Sequence, residues 1–563
     1  MAIGFTRSRS TTIKKRRGIF YTPSGISELL ASWAIRSPND RVLEPSFGGC
    51  TFLAALERRF RELEASEPWD QMCGCDLSSE AFSTHLAKLI PSEVHRRNFI
   101  KADFLKVNPE SFGREPFQAI IGNPPYVSYH NMFKVQRRAA AAIGFDETFR
   151  LPRTGNLWSY FVFHSIRFLA PNGRMAWLLP TSVLQAEYGR VLLDELRRRF
   201  ERVAIISLQE RLFDGTNEGT EILLCDRLSN NHHNEIEIAN ADGMGHCRDL
   251  LNDNDKSTVR YTPLRKRAIS SLLASRRLVT FRRIARSPQT VRLRDVARLS
   301  IGVVTGANEL FVISDEFAAS HGIPKHALKP ILAKIDVARG LRLLKSDFRY
   351  ARGKGLKCLL VDASADTMSI ELRRYFSRIS VKLRKGNVTF GKRADWRVPD
   401  AGITPDAFLP YMHHTGPRLI LNACKTNSTN TIHRLYFNPG VSMPQRKLIA
   451  ISMLSTFSQI SAEIEGRSYG SGVLKHELRE AGSIQLLLPT KRSAKSIATA
   501  FKRIDHLLRS GDRSGAQSVA DRFIGSTLPE ALSERSLTEL RRDLAYLRRR
   551  RHQRKRNEKS KAS

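Results

Sequence analysis

Four short apolar stretches, each stopping on a polar residue, constrain this chain more than any other feature. They are Arg41-Val42-Leu43-Glu44, Met72-Cys73-Gly74-Cys75-Asp76, Phe99-Ile100-Lys101-Ala102-Asp103, and Gln118-Ala119-Ile120-Ile121 ahead of Gly122-Asn123. Each reads as a short strand. Taken alone, an acid at a strand end is a solvated cap. Taken together, Glu44, Asp76, Asp103 and Asn123 are the ends of successive strands. In a parallel sheet such ends share one rim, and ligands bind there. Helical patterns over about 24–35 and 51–63 punctuate the series, the first entered through Thr22-Pro23. The expected fold is therefore α/β, a doubly wound and mostly parallel sheet.

The fourth stretch stops on Asn123-Pro124-Pro125-Tyr126. Proline fixes its own φ and restricts the residue before it, so Asn123 and Pro124 are both held extended. Two prolines also remove two backbone donors. The loop thus presents acceptors, the Asn123 side-chain oxygen and the Pro124 carbonyl, with the ring of Tyr126 beside them. Such a set suits gripping a planar amino group, as on adenine, while stacking on its ring. Accepting both hydrogens favours a pyramidal nitrogen whose lone pair can attack.

Upstream, Glu44-Pro45-Ser46-Phe47-Gly48-Gly49-Cys50 is a glycine turn between strand and helix, the geometry of a nucleoside-cofactor site. Glycine lets the backbone approach a ligand. The acidic start argues against pyrophosphate and suits a cation, such as the sulfonium and ammonium of S-adenosylmethionine. Asp76 is placed to accept from ribose hydroxyls. Asp103 is placed to accept from an adenine amino group, with Phe104 stacking on the purine. Further on, a helix is expected over 155–170 with Asn156 as its cap. A strand over 174–179, a helix over 183–200 and strands over 203–208 and 221–226 follow. Phe213 lies in a polar loop between the last two.

The formal net charge of +37 exceeds what solubility needs and points to nucleic acid. Seven scattered cysteines without C-x-x-C spacing read as reduced thiols of a cytosolic protein, neither a disulfide frame nor a zinc site. No apolar run reaches membrane-spanning length.

Phe20-Tyr21-Thr22-Pro23, Leu43-Glu44-Pro45-Ser46, Asp103-Phe104 and Asn123-Pro124-Pro125-Tyr126 follow one another in an order that resembles the gamma group of N6-adenine DNA methyltransferases. The resemblance covers about 18–230. It implies a class I S-adenosylmethionine-dependent methyltransferase fold, Rossmann-like, with a C-terminal α+β target-recognition domain. It implies Tyr21, Thr22, Glu44, Pro45, Gly48, Asp76, Asp103 and Phe104 as cofactor-binding residues, and Asn123, Pro124, Pro125 and Tyr126 as catalytic. Tyr126 and Phe213 would stack on the extruded base. Cys50 stands where the family usually has a second turn glycine. The implied activity is site-specific methylation of adenine N6 in double-stranded DNA, within a restriction-modification or related defence system. A cognate restriction endonuclease is then a partner, the enzyme is cytoplasmic and nucleoid-associated, and neither metal nor membrane is needed. Two other readings stay open: methylation of RNA or of a protein glutamine, and a non-catalytic DNA-recognition subunit.

The expected domains are a basic arm over 1–17, a catalytic domain over 18–230, a linker or insertion over 231–261, a target-recognition domain over 262–490, and a basic helical tail over 491–563, partly disordered at its end. Segments 300–308, 419–422 and 466–475 resemble target-recognition elements. Arg467 and Lys475, and Arg549 and Arg550 in the tail, are expected to contact DNA. The basic clusters at 342–345 and 382–385 fit phosphate contact or a solvated face.

Overall fold

The computed structural model describes residues 22–556, apart from 91, 114, 144–150, 153–154, 209–219, 230–234, 242, 253–258, 262–277, 364–368, 400–402, 470–471, 491 and 526–532. The chain forms two compact units, Met1–Arg276 with Gln553–Ser563, and Arg277–His552.

The first unit is built on a nine-stranded sheet. Its strands are β1 (Val42–Glu44), β2 (Met72–Asp76), β3 (Phe99–Lys101), β4 (Phe117–Gly122), β5 (Leu169–Pro180), β6 (Phe200–Leu208), β7 (Thr220–Leu228), β8 (Ile236–Ala241) and β9 (Val259–Tyr261). They lie in the order β3-β2-β1-β4-β5-β7-β6-β8-β9. The first five pair in parallel, whereas β7 inserts antiparallel between β5 and β6. The order reverses between β1 and β4, where Val42 faces Ala119 and Leu43 faces Ile120. In open sheets of this kind the crevice at the reversal holds the ligand.

Side chains alternate along each strand and feed two cores. Leu43, Ile120, Met175 and Trp177 enter one, beneath α3 (Leu157–Ser165) and α4 (Glu187–Arg199). Val42, Ala119, Ile121, Ala176 and Leu178 enter the other, beneath α1 (Ser24–Ala34), α2 (Thr51–Glu62) and α5 (Met244–Leu251). A period of two on the strands and apolar stripes on the helices produce this layering.

Three expectations are corrected here. The stretch 231–261, expected as a linker, instead supplies β8 and β9. Ile236 and Ile238 are fully buried while Glu237 stays half-exposed. That alternation is hidden in a polar stretch too short to stand out, and it moves the unit's edge from 230 to 276. The helix expected over 183–200 is broken at Ala186, which is extended between Ser182–Gln185 and α4. Asn156 does precede α3, but its side chain makes no cap.

The second unit is α+β. One sheet runs Ala297–Ser300, Ile432–Phe437, Ala407–Pro410, Ile420–Asn422, Arg342–Leu343, and another runs Val312–Ile313, Leu359–Val361, Leu328–Leu332, Asn427–Ser428. A small sheet joins Met412–His413 to the hairpin Val473–Lys475 and Arg467–Tyr469. Within 300–308, Gly302 lies against the Thr429 carbonyl, where any Cβ would collide with backbone. The region 491–563, expected as an appended tail, is integral to this unit as far as it is described. Helix Ala494–Arg509 buries Ile497, Phe501 and Ile504, and Arg513–Gly525 buries Ala516, Ala520 and Ile524. The last helix, Glu534–Arg556, buries Leu537, Leu540, Leu544 and Leu547.

Candidate active site

The rim of β1 carries a carboxylate with nowhere to go. Glu44 is 2% exposed, and its Oε2 has no hydrogen-bond partner among the described residues. Burial pushes its pKa well up, neighbouring Asp76 adds to this, and the Leu53 backbone N–H in the first turn of α2 pulls the other way. An uncompensated carboxylate in a nearly dry position is expensive unless a ligand answers it. A cation is the ligand that would.

Asp76, at the end of β2, is held by two backbone donors, Gly48 N–H at 2.9 Å and Ser78 N–H at 2.7 Å. Burial dominates and raises its pKa despite both. Gly48 reaches Asp76 with φ +44°, and Cys50 completes the turn with φ +61°. The local conformation is thus the left-handed one glycine favours, adopted here by a buried cysteine whose thiol pKa is pushed up by burial. Pro45 is buried behind the turn. Asp103, two residues beyond β3, caps the turn Phe104–Lys106 and accepts from Leu105 N–H at 3.2 Å. Phe104 corrects the sequence reading. Its ring is enclosed by Phe161, His164 and Phe168, so it cannot stack on a purine and leaves only its backbone for a ligand.

The loop after β4 is organised as its prolines dictate. Asn123 Nδ2 donates to Thr22 Oγ1 at 3.3 Å, and Ser46 Oγ donates to the Asn123 carbonyl at 3.4 Å. Asn123 Oδ1 is buried without a partner among the described residues. Such an orphan costs about 1–3 kcal/mol, a cost that a bound donor would remove. Pro124 is buried and Pro125 is half-buried, its carbonyl accepting from Val127 N–H. The Tyr126 hydroxyl donates to the Leu178 carbonyl at 3.2 Å, which holds its half-buried ring beside the loop. Tyr21 and Phe213 lie outside the described residues. Among the described residues no three His, Cys, Asp or Glu come together as metal ligands, and no helix is long and apolar enough to cross a membrane.

A family model for N-6 DNA methylases matches residues 5–259, the whole of this site. A second model, the C-terminal domain of the type II methyltransferase M.Eco57I, matches residues 265–524. The chain is similar to the type II methyltransferase M.AccI of Acinetobacter calcoaceticus, at 21% identity over 90% of this chain and 92% of that one. It is similar to the type II methyltransferase M.XamI of Xanthomonas campestris pv. amaranthicola, at 24% identity over 84% and 85%. In fold it matches the type IIL restriction-modification enzyme MmeI solved in complex with DNA, with TM-score 0.50, 12% identity, and coverage of 93% of this chain and 72% of that one. The sheet is the doubly wound, mostly parallel one that the sequence predicts, and the chain is an adenine-specific DNA methyltransferase acting at N6.

The basic residues singled out for DNA contact are placed differently from expectation. In this methyltransferase Arg467 is bound to buried Glu480 at 2.7 Å. Lys475 is paired with Glu477 at 2.8 Å and lies over the Tyr411 ring. Both cations are already answered within the second unit. Arg549 is exposed, and the Arg550 side chain lies outside the described residues. Their neighbours Arg548 and Arg551 are inward staples: both engage Glu463, and Arg551 also donates to the His414 and Gly472 carbonyls. The sequence reading also passed over Ser46 as a site residue. Its signal was available, a hydroxyl in the turn between acid and glycine, but its partner is 77 positions away.

Proposed function

We propose that this methyltransferase uses S-adenosyl-L-methionine to modify N6 of adenine at a specific site in double-stranded DNA, after the base leaves the helix, as the modification enzyme of a restriction-modification system with a cognate endonuclease. The observation that carries this reading is a pair of buried orphan acceptors at the ends of adjacent strands, Glu44 Oε2 on β1 and Asn123 Oδ1 just after β4. One fits the charged end of the cofactor, the other the amine that attacks it.

When bound, the cofactor supplies an electrophilic methyl group. Thr22 and Glu44 would face its methionine end, Gly48 and Asp76 its ribose, and Asp103 its adenine. Asp76 keeps acceptor capacity beyond its two backbone donors. Asn123 Oδ1 and the Pro124 carbonyl would accept the two hydrogens of the target amine and stabilise the charge that develops on N6. Extruding the base costs a few kcal/mol, offset in part by stacking on Tyr126, worth about 1–3 kcal/mol. Tyr126 meets the base without reordering because its hydroxyl is tied to β5. Phe213 is assigned as the second stacking ring on the sequence resemblance alone. The second unit is assigned target recognition, supported by its match to a type II methyltransferase C-terminal domain.

The test is expression in a host without adenine methylation, followed by long-read sequencing of its DNA. One short motif modified at adenine is the expected result. Asn123→Ala should retain cofactor binding and lose turnover by on the order of a hundredfold or more, as for loss of one oriented polar group. Unmodified host DNA from active, cofactor-binding protein would move the substrate to RNA or protein.

A further inference from the structure

Asn123 is held by two side chains from distant parts of the chain. Thr22, 101 positions earlier, accepts from its Nδ2. Ser46, 77 positions earlier, donates to its backbone carbonyl. A primary amide has two unlike ends, one that accepts and one that donates. Turned about, Asn123 would offer its NH2 to the hydrogens of the substrate amine, donor against donor. With Nδ2 on Thr22, Oδ1 is the end left buried and unanswered. Ser46 draws the Asn123 carbonyl to the turn after β1, so the main-chain acceptor left to the substrate is that of Pro124.

We propose that Thr22 and Ser46 are positioning residues that hold the Asn123 amide and the catalytic loop in the geometry in which Asn123 Oδ1 and the Pro124 carbonyl meet the target amine. The proposal rests on the reading of Asn123 as the acceptor for that amine. It gives these residues a task separate from holding the cofactor. Because Ser46 stands between Glu44 and Gly48, the proposal also ties the geometry of the cofactor turn to that of the catalytic loop.

The experiment is single-turnover methyl transfer at saturating cofactor and DNA for Thr22→Val, Thr22→Ser, Ser46→Ala and Asn123→Ala. Cofactor affinity and circular dichroism are measured on each. Thr22→Val should lower the transfer rate roughly tenfold or more at saturation, as expected when a reacting group is misplaced, and Thr22→Ser should restore most of it. Ser46→Ala should slow transfer several-fold (~3–10) by freeing a competing carbonyl. A wild-type rate in Thr22→Val at saturating cofactor, with only weaker cofactor binding, overturns the proposal and leaves Thr22 a cofactor contact. Equal slowing by valine and serine also overturns it, because the hydroxyl is then irrelevant. If Thr22→Val does not fold, Ser46→Ala, at a half-buried position, decides alone. A wild-type rate in Asn123→Ala would overturn the underlying reading, an outcome distinct from either of the others.

Discussion

Glu44 and Cys50 show how single residues at this site trade stability for chemistry. The buried carboxyl of Glu44 has its pKa raised, so in the ligand-free protein it favours the protonated form. The sign follows directly. The folded state holds a proton that the unfolded state releases at lower pH, so this group's contribution falls as pH rises from the ordinary carboxylate range through the raised value. A cationic cofactor reverses the preference and expels the proton. Cofactor affinity measured by calorimetry should therefore strengthen as pH rises toward about 7.5, below the titration of the ligand's own α-amino group. Glu44→Gln should bind more weakly and lose that dependence, and an equally steep profile in the variant would exclude Glu44 as the titrating group. Cys50 holds φ +61°, a conformation that penalises any Cβ. Cys50→Ala keeps the Cβ and Cys50→Gly removes it. The glycine variant should be the more stable of the two by about 1 kcal/mol in urea unfolding. The reverse order would mean that the turn is not strained.

At the scale of elements, the last helix and the loop it grips matter more than its composition suggests. Arg548 and Arg551 converge with Arg513 on the carbonyls of 414–416, with Glu463 as the buried acid among them. Desolvation lowers the Arg513 pKa to about 10, and the surrounding guanidinium groups add to it. Arg551→Met should destabilise the second unit by about 3 kcal/mol, the scale of breaking a buried pair, as read by its thermal transition. A solvated DNA-binding tail would instead show unchanged melting and weaker DNA affinity. Beside this clamp, Gly416 N–H donates to His413 Nδ1, whose Nε2–H donates to His476 Nδ1 at 3.1 Å, whose Nε2–H donates to the Ala462 carbonyl at 2.9 Å. Every donor in that relay is matched only when both rings are neutral. Burial chiefly, with His476 and the three arginines, depresses His413 well below its usual range. The stabilisation is thus present above about pH 6.5 and is lost as pH falls. Unfolding free energy of this unit should drop between about pH 6.5 and 5, by up to about 1.4 kcal/mol per pH unit for His413. His413→Leu should flatten that limb.

For the whole molecule, the phosphates contacted are set by the cations along one bound face and not by the total charge. Arg467, Arg509 and Arg551 are paired with buried acids, and such pairs leave the net charge of +37 unchanged. The salt dependence of DNA binding should accordingly reflect on the order of 6–10 phosphates, a slope of roughly −5 to −9 in log K against log salt, and not a count approaching the net charge. Fluorescence anisotropy across a salt series would read it. A much steeper slope would show that the paired arginines open onto the nucleic acid.

The short apolar runs ending in Glu44, Asp76, Asp103 and Asn123 declared the sheet, its parallel sense and its rim, because strand period and proline geometry are local properties. The Asn-Pro-Pro-Tyr loop at the end of β4, with its unanswered Asn123 oxygen, was legible for the same reason. Burial and pairing were not. Phe104 looked like a stacking ring until three aromatic neighbours enclosed it, β8 looked like linker until β6 paired with it, and Arg467 looked free until Glu480 was placed beside it. Each of those outcomes depends on residues far away in the chain. The seating of the Asn123 amide belongs to the same class, since its side chain meets a hydroxyl 101 positions away that only the folded sheet brings within reach.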